Sequence, residues 1–192
     1  MPEQSSHPRS LRAMDSVLGA TTELLSEGGL PAATVDAISA RSGVSKATIY
    51  KHWPCRTAIA AEAFGKQMAA AIPLPDKGDA ASDLAEQVRR VSSFYAGPQG
   101  TIFAQLLAAS VADPAASPYF REYFLDKRRE AVAELWQRAL DRGEVKPEIS
   151  AETATDVLFG PLIFRLMTGH PPLTTEEADK ISSAALGGLL AD

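Results

Sequence analysis

The stretch Thr34–Trp53, TVDAISARSGVSKATIYKHW, leaves the chain little choice of local structure. Thr34 has the side chain of a helix N-cap, and Val35 and Ile38 behind it share one helical face. Gly43 supplies the positive φ that ends this helix and turns the chain. Val44 is the apolar residue just past the turn, and Ser45 caps a second short helix from Lys46 to Lys51. Burying Ile49 leaves Lys46, Thr48, Tyr50 and Lys51 for solvent or a ligand. Two helices joined this way, the second polar and basic and backed by the first, make a helix-turn-helix. Its second helix is the one that enters the DNA major groove.

Upstream, Leu11, Met14, Leu18, Thr21 and Leu25 alternate steps of three and four, and Val17 and Leu24 widen the stripe. This predicts a helix over Arg9–Glu27 with one buried face, ended by Gly28-Gly29. Residues 1–8 read as disordered, and Leu30-Pro31 as a connector. Downstream, Pro54 suits the first turn of a new helix that carries Ile59, Ala63, Phe64 and Met68 to about Ile72. Pro73-Leu-Pro75-Asp-Lys-Gly78 then breaks any helix and marks a domain boundary.

Beyond that boundary five more helices are expected. They are Ala80–Tyr95, with Leu84, Val88, Val91 and Tyr95 at helical spacing, and Thr101–Ala112, almost wholly apolar and so expected to be buried on most sides. Then come a long charged one from Pro118 to about Arg142, one capped by Ser150 and running to Met167, and a last one from Thr174 or Thr175 to about Leu190. Few aromatics, abundant alanine and no alternating β-branched runs favour helix throughout. The fold class is therefore all-α: a three-helix N-terminal helix-turn-helix domain and a C-terminal bundle of about five to six helices. The linear division is 1–53 for the helix-turn-helix domain, 54–72 for a connecting helix, and 73–192 for the bundle.

Charge narrows the partners. The net charge of −5 excludes a generally basic nucleic-acid coat. Up to Lys66, however, seven Lys/Arg face six Asp/Glu, whereas twelve face eighteen beyond it. A near-neutral head on an acidic body fits a DNA footprint confined to the head. Cys55 is the single cysteine, so no intramolecular disulfide or cysteine-rich zinc site is possible. His7, His52 and His170 are scattered without ligand spacing, so no metal and no cofactor are expected. No nucleophile motif stands out, and the protein is not read as an enzyme. The polar N-terminus lacks an apolar segment, and Val157–Phe164 is too short to span a bilayer, so no membrane association and a cytoplasmic location are expected.

The first seventy residues resemble the DNA-binding domain of the TetR family of transcriptional regulators. The resemblance rests on the apolar first helix ending in Gly, on Thr34-Val35 and Ile38, on SGVSKATIYKHW at 42–53, and on the basic Arg56 that follows. Departures are mild: Ser39 and Ser42 stand where Ala is usual, Trp53 where Phe is, and Arg56 where Lys is. The resemblance implies a homodimer on a pseudo-palindromic double-stranded operator, repression, and release by a small hydrophobic effector. The expected interface comprises Thr34, Ser45, Lys46, Ala47, Thr48, Tyr50, Lys51, His52 and Arg56. Lys46, Tyr50, His52 and Arg56 are assigned to phosphates, and Ala47 and Thr48 nearer base edges. Trp53 is read as a core plug.

For the effector, Phe94, Phe103, Leu107, Phe124, Phe159 and Met167 are candidate walls and Gln105, Tyr123 and Arg165 candidate polar hooks. If Arg165 faced the cavity it would favour an acidic ligand; if it paired with a carboxylate, the ligand would be a neutral hydrophobe. The basic run Lys127-Arg128-Arg129 lies among Glu122, Asp126, Glu130 and Glu134, so pairing along the helix is its default. VLFGPLIF at 157–164 is apolar on every side and so needs a second cover. Together with small residues of the last helix it suggests a dimer interface of Val157, Leu158, Pro161, Leu162, Ile181, Ala184, Ala185 and Gly188. A central helix inside a monomeric bundle is the other reading of that segment. For the whole chain, two alternatives stay open: a small-molecule-binding or enzymatic helical domain with a vestigial DNA head, and a protein-interaction module.

Overall fold

The computed structural model describes residues 8–170 and 172–191. Among them are ten α-helices, one π-helical turn and no β-strand. The helices are α1 (Pro8–Ala32), α2 (Val35–Ser42), α3 (Lys46–His52), α4 (Arg56–Ala71), α5 (Ala80–Ala96), α6 (Pro98–Ala112), α7 (Ser117–Phe120), α8 (Asp126–Asp141), α9 (Ala151–Thr168) and α10 (Thr175–Leu189). The π turn is Arg121–Leu125. Residues 1–7, on which the expectation of disorder mostly falls, and His7 with them, lie outside the described residues, while Pro8 already belongs to α1. The described residues form two compact units, one of residues up to Gln67 with Gln105–Phe124, the other of Met68–Ala104 with Leu125 onward. This grouping returns residues 105–124 to the head unit, which a linear division of the chain cannot express.

In the first unit, α1 buries Val17, Leu18, Leu24 and Leu25. Thr21 joins them fully buried because its hydroxyl donates to the Val17 carbonyl at 2.7 Å. The stripe starts later than its spacing predicts: Leu11 is 47% exposed. Regular helical geometry breaks at Gly28 and Gly29, where Gly29 takes a φ of 65°. A β-carbon on Gly29 would also lie 2.3 Å from the Gln105 Oε1, the movable end of a flexible side chain, so the positive φ is what requires glycine. That same oxygen accepts from the Leu30 amide at 2.7 Å, clasping the end of α1. Ile38, Ile49, Trp53, Ile59, Phe64 and Leu106 fill the core, and Phe124 sits with its ring centroid 5.5 Å from Phe64 and 5.3 Å from Phe120.

In the second unit, α5 is buried along most of its circumference and packs on α8, α9 and α10. Its apolar face is the expected Leu84, Val88, Val91 and Tyr95, but Asp83, Gln87 and Ser92 are buried too. Asp83 is used structurally, since Oδ1 accepts from the Lys77 amide at 2.6 Å and Oδ2 lies 3.6 Å from Arg142 Nη2. Trp136 is buried and its indole N–H donates to the Ile149 carbonyl at 3.2 Å. Ser150 and Thr174 cap α9 and α10 through the amides of Thr153 and Glu177. Lys146 N–H to Leu189 O and Ala191 N–H to Glu144 O, both 3.0 Å, tie the chain end to the α8–α9 loop.

Two expectations need correction. The single helix expected from Pro118 to Arg142 is interrupted by the π turn, at the place where chain membership passes from the first unit to the second. One inserted residue turns the following stripe by about 100°, so Phe120 and Phe124 on one side and Val132, Leu135 and Trp136 on the other each meet their own core. The segment Thr101–Ala112 is not buried on most sides: Ile102, Phe103 and Leu106 are, but Val111 is 75% exposed.

Candidate nucleic-acid interface

The local sequence builds the reading head as its caps dictate. Thr34 Oγ1 accepts from the Ala37 amide at 3.1 Å, and Gly43 at φ 70° ends α2 with its amide on the Ser39 carbonyl. Ser39 Oγ donates to the Val44 carbonyl at 2.8 Å, stitching the turn from inside. Ser45 Oγ accepts from the Thr48 amide at 3.2 Å and starts α3. Ile38 and Ile49 are both fully buried, so α3 has a fixed inner face. Its outer face carries Lys46, Ala47, Tyr50 and Lys51, all exposed, with Thr48 and His52 half-buried at its edges. Tyr50 is 53% exposed, unusual for a tyrosine unless something covers it.

The mounting is stiff at both ends. Trp53, 1% exposed, is the core plug expected of it, and its indole N–H donates to Glu62 Oε2 on α4 at 2.6 Å. Arg56 is exposed at the start of α4, which begins there and not at Pro54; the Ile59 amide reaches the Cys55 carbonyl at 3.4 Å. The Tyr123 hydroxyl donates to the His52 carbonyl at 3.4 Å. On the other side, Arg41 of α2 bonds Glu27 of α1 at 2.6 Å, which raises the guanidinium's pKa and lowers the carboxyl's. Lys46 forms an ion pair with Asp36 of α2, and that pair raises its pKa. Asp36, Glu62 and Tyr123 were not legible as parts of the head. Only the distance of ten residues between Asp36 and Lys46, across a tight turn, hints at the first pairing.

A cationic, aromatic and hydroxyl-bearing helix face on a rigid mount is what reading duplex DNA requires. Residues 17–63 match the model described as "Bacterial regulatory proteins, tetR family", and residues 74–185 the "Tetracyclin repressor-like, C-terminal domain". The chain belongs to the TetR family of transcriptional regulators. This TetR-family regulator is 30% identical over 188 residues to YdeS of Bacillus subtilis (strain 168), described as an uncharacterized HTH-type transcriptional regulator, covering 97% of this chain and 95% of that one. It superposes on the TetR family transcription regulator SCO0332 with a TM-score of 0.84 at 28% identity, over 92% of this chain and 97% of the other. The fold is also that of FadR from Bacillus subtilis, solved in complex with stearoyl-CoA: TM-score 0.66, 19% identity, 91% of this chain and 98% of that one. The regulator is thus a DNA-binding transcription factor, and none of its described helices is long and apolar enough to cross a membrane.

The residues expected to hold an effector are divided between the two units. Gln105, Leu107, Tyr123 and Phe124 belong to the first unit, and Phe94, Phe103, Phe159, Arg165 and Met167 to the second. Gln105 and Tyr123 are not free hooks: they bond the Leu30 amide and the His52 carbonyl. Arg165 is not one either, because its Nη1 lies 2.7 Å from Glu177 Oε2. Met167 is 43% exposed. Phe94 and Phe103 do flank Tyr95, with centroids 5.9 and 4.7 Å from its ring. An open groove of about 770 Å³ between α5 and α10 is lined by other residues, among them Glu86, Arg89, Asp179 and Gly187.

Two residues of the dimer set need correction. Leu158 and Leu162 are fully buried within their own unit and have no surface to offer a partner. They fall on the inner stripe because α9 packs on α5, α8 and α10. The outward stripe of α9 is Val157 (41% exposed), Gly160, Pro161, Phe164 (63%) and Met167. On α10, Ala184 and Gly188 are exposed and Ile181 and Ala185 half-buried, so those four keep an outer face.

Proposed function

We propose that this regulator binds a pseudo-palindromic double-stranded operator as a homodimer, represses from it, and leaves when a small, largely hydrophobic effector binds the region after Pro73. Residues 1–53 act as the reading head, 54–72 as the connecting helix, and 73–192 as the effector and dimer region. The observation that carries the reading is the outer face of α3, where Lys46, Ala47, Tyr50 and Lys51 stand exposed on a helix fixed by fully buried Ile49. Lys46, Tyr50, His52 and Arg56 grip phosphates and set the register, while Ala47 and Thr48 lie toward base edges. The caps Thr34 and Ser45 present their helix starts to the backbone. The exposed apolar stripe of α9 with the small residues of α10 supplies an isologous interface. The protein performs no catalysis in this reading and works in the cytoplasm, beside the chromosome.

Release then follows from linkage: the effector must bind the form that misfits the operator more tightly than the form that fits it. The test is a Lys46→Ala/Tyr50→Ala/Arg56→Ala variant assayed on the DNA upstream of its own gene. Loss of binding with unchanged helicity and unfolding midpoint supports the reading; full binding by a folded triple variant overturns it. A single Lys46→Ala should weaken all sequences alike and lower the salt slope by about one unit. Thr48→Ala should change preference among operator variants instead.

A further inference from the structure

Resting on the reading of α3 as the helix that meets DNA, we infer that Ser39 and Ser42 are positioning residues for sequence recognition. Together they lock the peptide through which α2 hands its orientation to α3.

Only Gly43 and Val44 stand between the last residue of α2 and Ser45, the cap of α3. Gly43 permits the turn, but a glycine alone leaves such a joint loose. Both backbone groups of Val44 are tied back onto α2 by side chains. The Ser39 hydroxyl donates to the Val44 carbonyl at 2.8 Å, and the Val44 amide donates to Ser42 Oγ at 3.2 Å. Ser39 acts on both sides of the turn, since its own carbonyl accepts the Gly43 amide at 3.1 Å. Ser39, Ser42 and Val44 are all half-buried, so water competes weakly for these bonds.

The lock passes directly to the reading face. Ser45 follows Val44 and caps α3 through the Thr48 amide at 3.2 Å, and its Oγ lies 3.0 Å from Thr48 Oγ1. A short run of contacts thus joins the two serines to the side chain assigned near base edges. α3 has seven residues and buries only Ile49, so packing along its length gives it little direction of its own. Its aim is set where it begins. Long cationic side chains can follow a phosphate through a small rotation of the helix, whereas a base-edge contact is lost. A turn ordered before DNA arrives also costs nothing to order on binding. Ser39 and Ser42 therefore act through Val44, and they serve discrimination more than general affinity for DNA.

The test uses the full-length protein and two labelled duplexes of equal length, one that the wild type enriches from a random pool and one of mixed sequence. Ser39→Ala/Ser42→Ala should lose about fivefold of the preference for the selected duplex, the worth of one neutral hydrogen bond. Affinity for the mixed duplex, and its salt dependence, should not change, because the same phosphates are met. The thermal midpoint should stay near that of the wild type, since alanine is the better helix former. Ser26→Ala, which removes a hydroxyl bonded only within α1, should alter none of these. An unchanged preference in the double variant overturns the inference and leaves the DNA reading intact. A loss shared equally by both duplexes also overturns it, because it marks a role in the fold of the head and not in its aim. If the double variant does not fold, each single alanine variant is read by the same ratio. Should the wild type enrich no duplex, the DNA reading itself falls and the inference with it.

Discussion

The indole N–H of Trp53 donates to Glu62 Oε2 at 2.6 Å, so the residue that closes the reading helix is bonded to the middle of α4. Glu62 also lies 3.6 Å from Lys66, and its carboxylate is only 12% exposed. Orientation of α3 is therefore inherited from α4 through a single polar contact inside an otherwise apolar plug.

Glu62→Ala would leave a buried indole donor without an acceptor, at a cost of about 1–3 kcal/mol. Urea unfolding followed by Trp53 emission, in a Trp136→Phe background, should show that loss. Operator affinity should fall with it, and Glu62→Gln, which keeps an acceptor, should restore most of both.

Lys46 is held by Asp36 in the free protein, so it must change partners to reach a phosphate. Asp36→Asn removes the competitor and a charge that repels DNA. Operator affinity should rise, most at low salt, where exposed charges are least screened. An unchanged or weaker complex at low salt would show that Asp36 positions Lys46 instead of withholding it.

Assembly and folding should separate at two residues of α9 that are only two apart. Phe164→Glu places a charge on the exposed stripe, so the protein should stay folded but sediment as a monomer at micromolar concentration. Leu162→Glu buries an unpaired charge in a fully closed core and should unfold the second unit. A wild-type interface of the expected kind buries more than about 1,200 Å².

Asp79 caps α5, accepting from the Ser82 amide at 2.8 Å, and this bond lowers its pKa. A group whose folded pKa is depressed adds stability above its unfolded pKa and loses it as pH falls through the folded one. Thermal midpoints should therefore drop across the region at and just below the ordinary aspartate range. Asp79→Asn keeps a capping oxygen and should flatten that part of the profile.

What could be read in the sequence was local. Thr34, Gly43 and Ser45 act on residues within four positions of themselves, so their caps and turn stand in the structure as spacing alone suggests. Ile38, Ile49 and Trp53 are buried for the same reason. What could not be read depends on partners remote in the chain. Arg165 finds Glu177 on the next helix, and Gln105 finds Leu30 some seventy-five positions away. Arg129 defeats the expectation of pairing along its helix, because it is ion-paired with Asp156 of α9. Leu158 and Leu162 were misplaced because an all-apolar helix gives no hint of which side its own unit will claim.

The clasp between Gly29 and Gln105 fixes two distant positions for separate reasons. A side chain at 29 meets an unfavourable backbone torsion whatever stands at 105, while a shorter side chain at 105 strands the Leu30 amide. No change at one offsets a change at the other. A lineage that alters either weakens the bend between the first helix and the reading head, so both positions should be inherited unchanged among chains that share this bend.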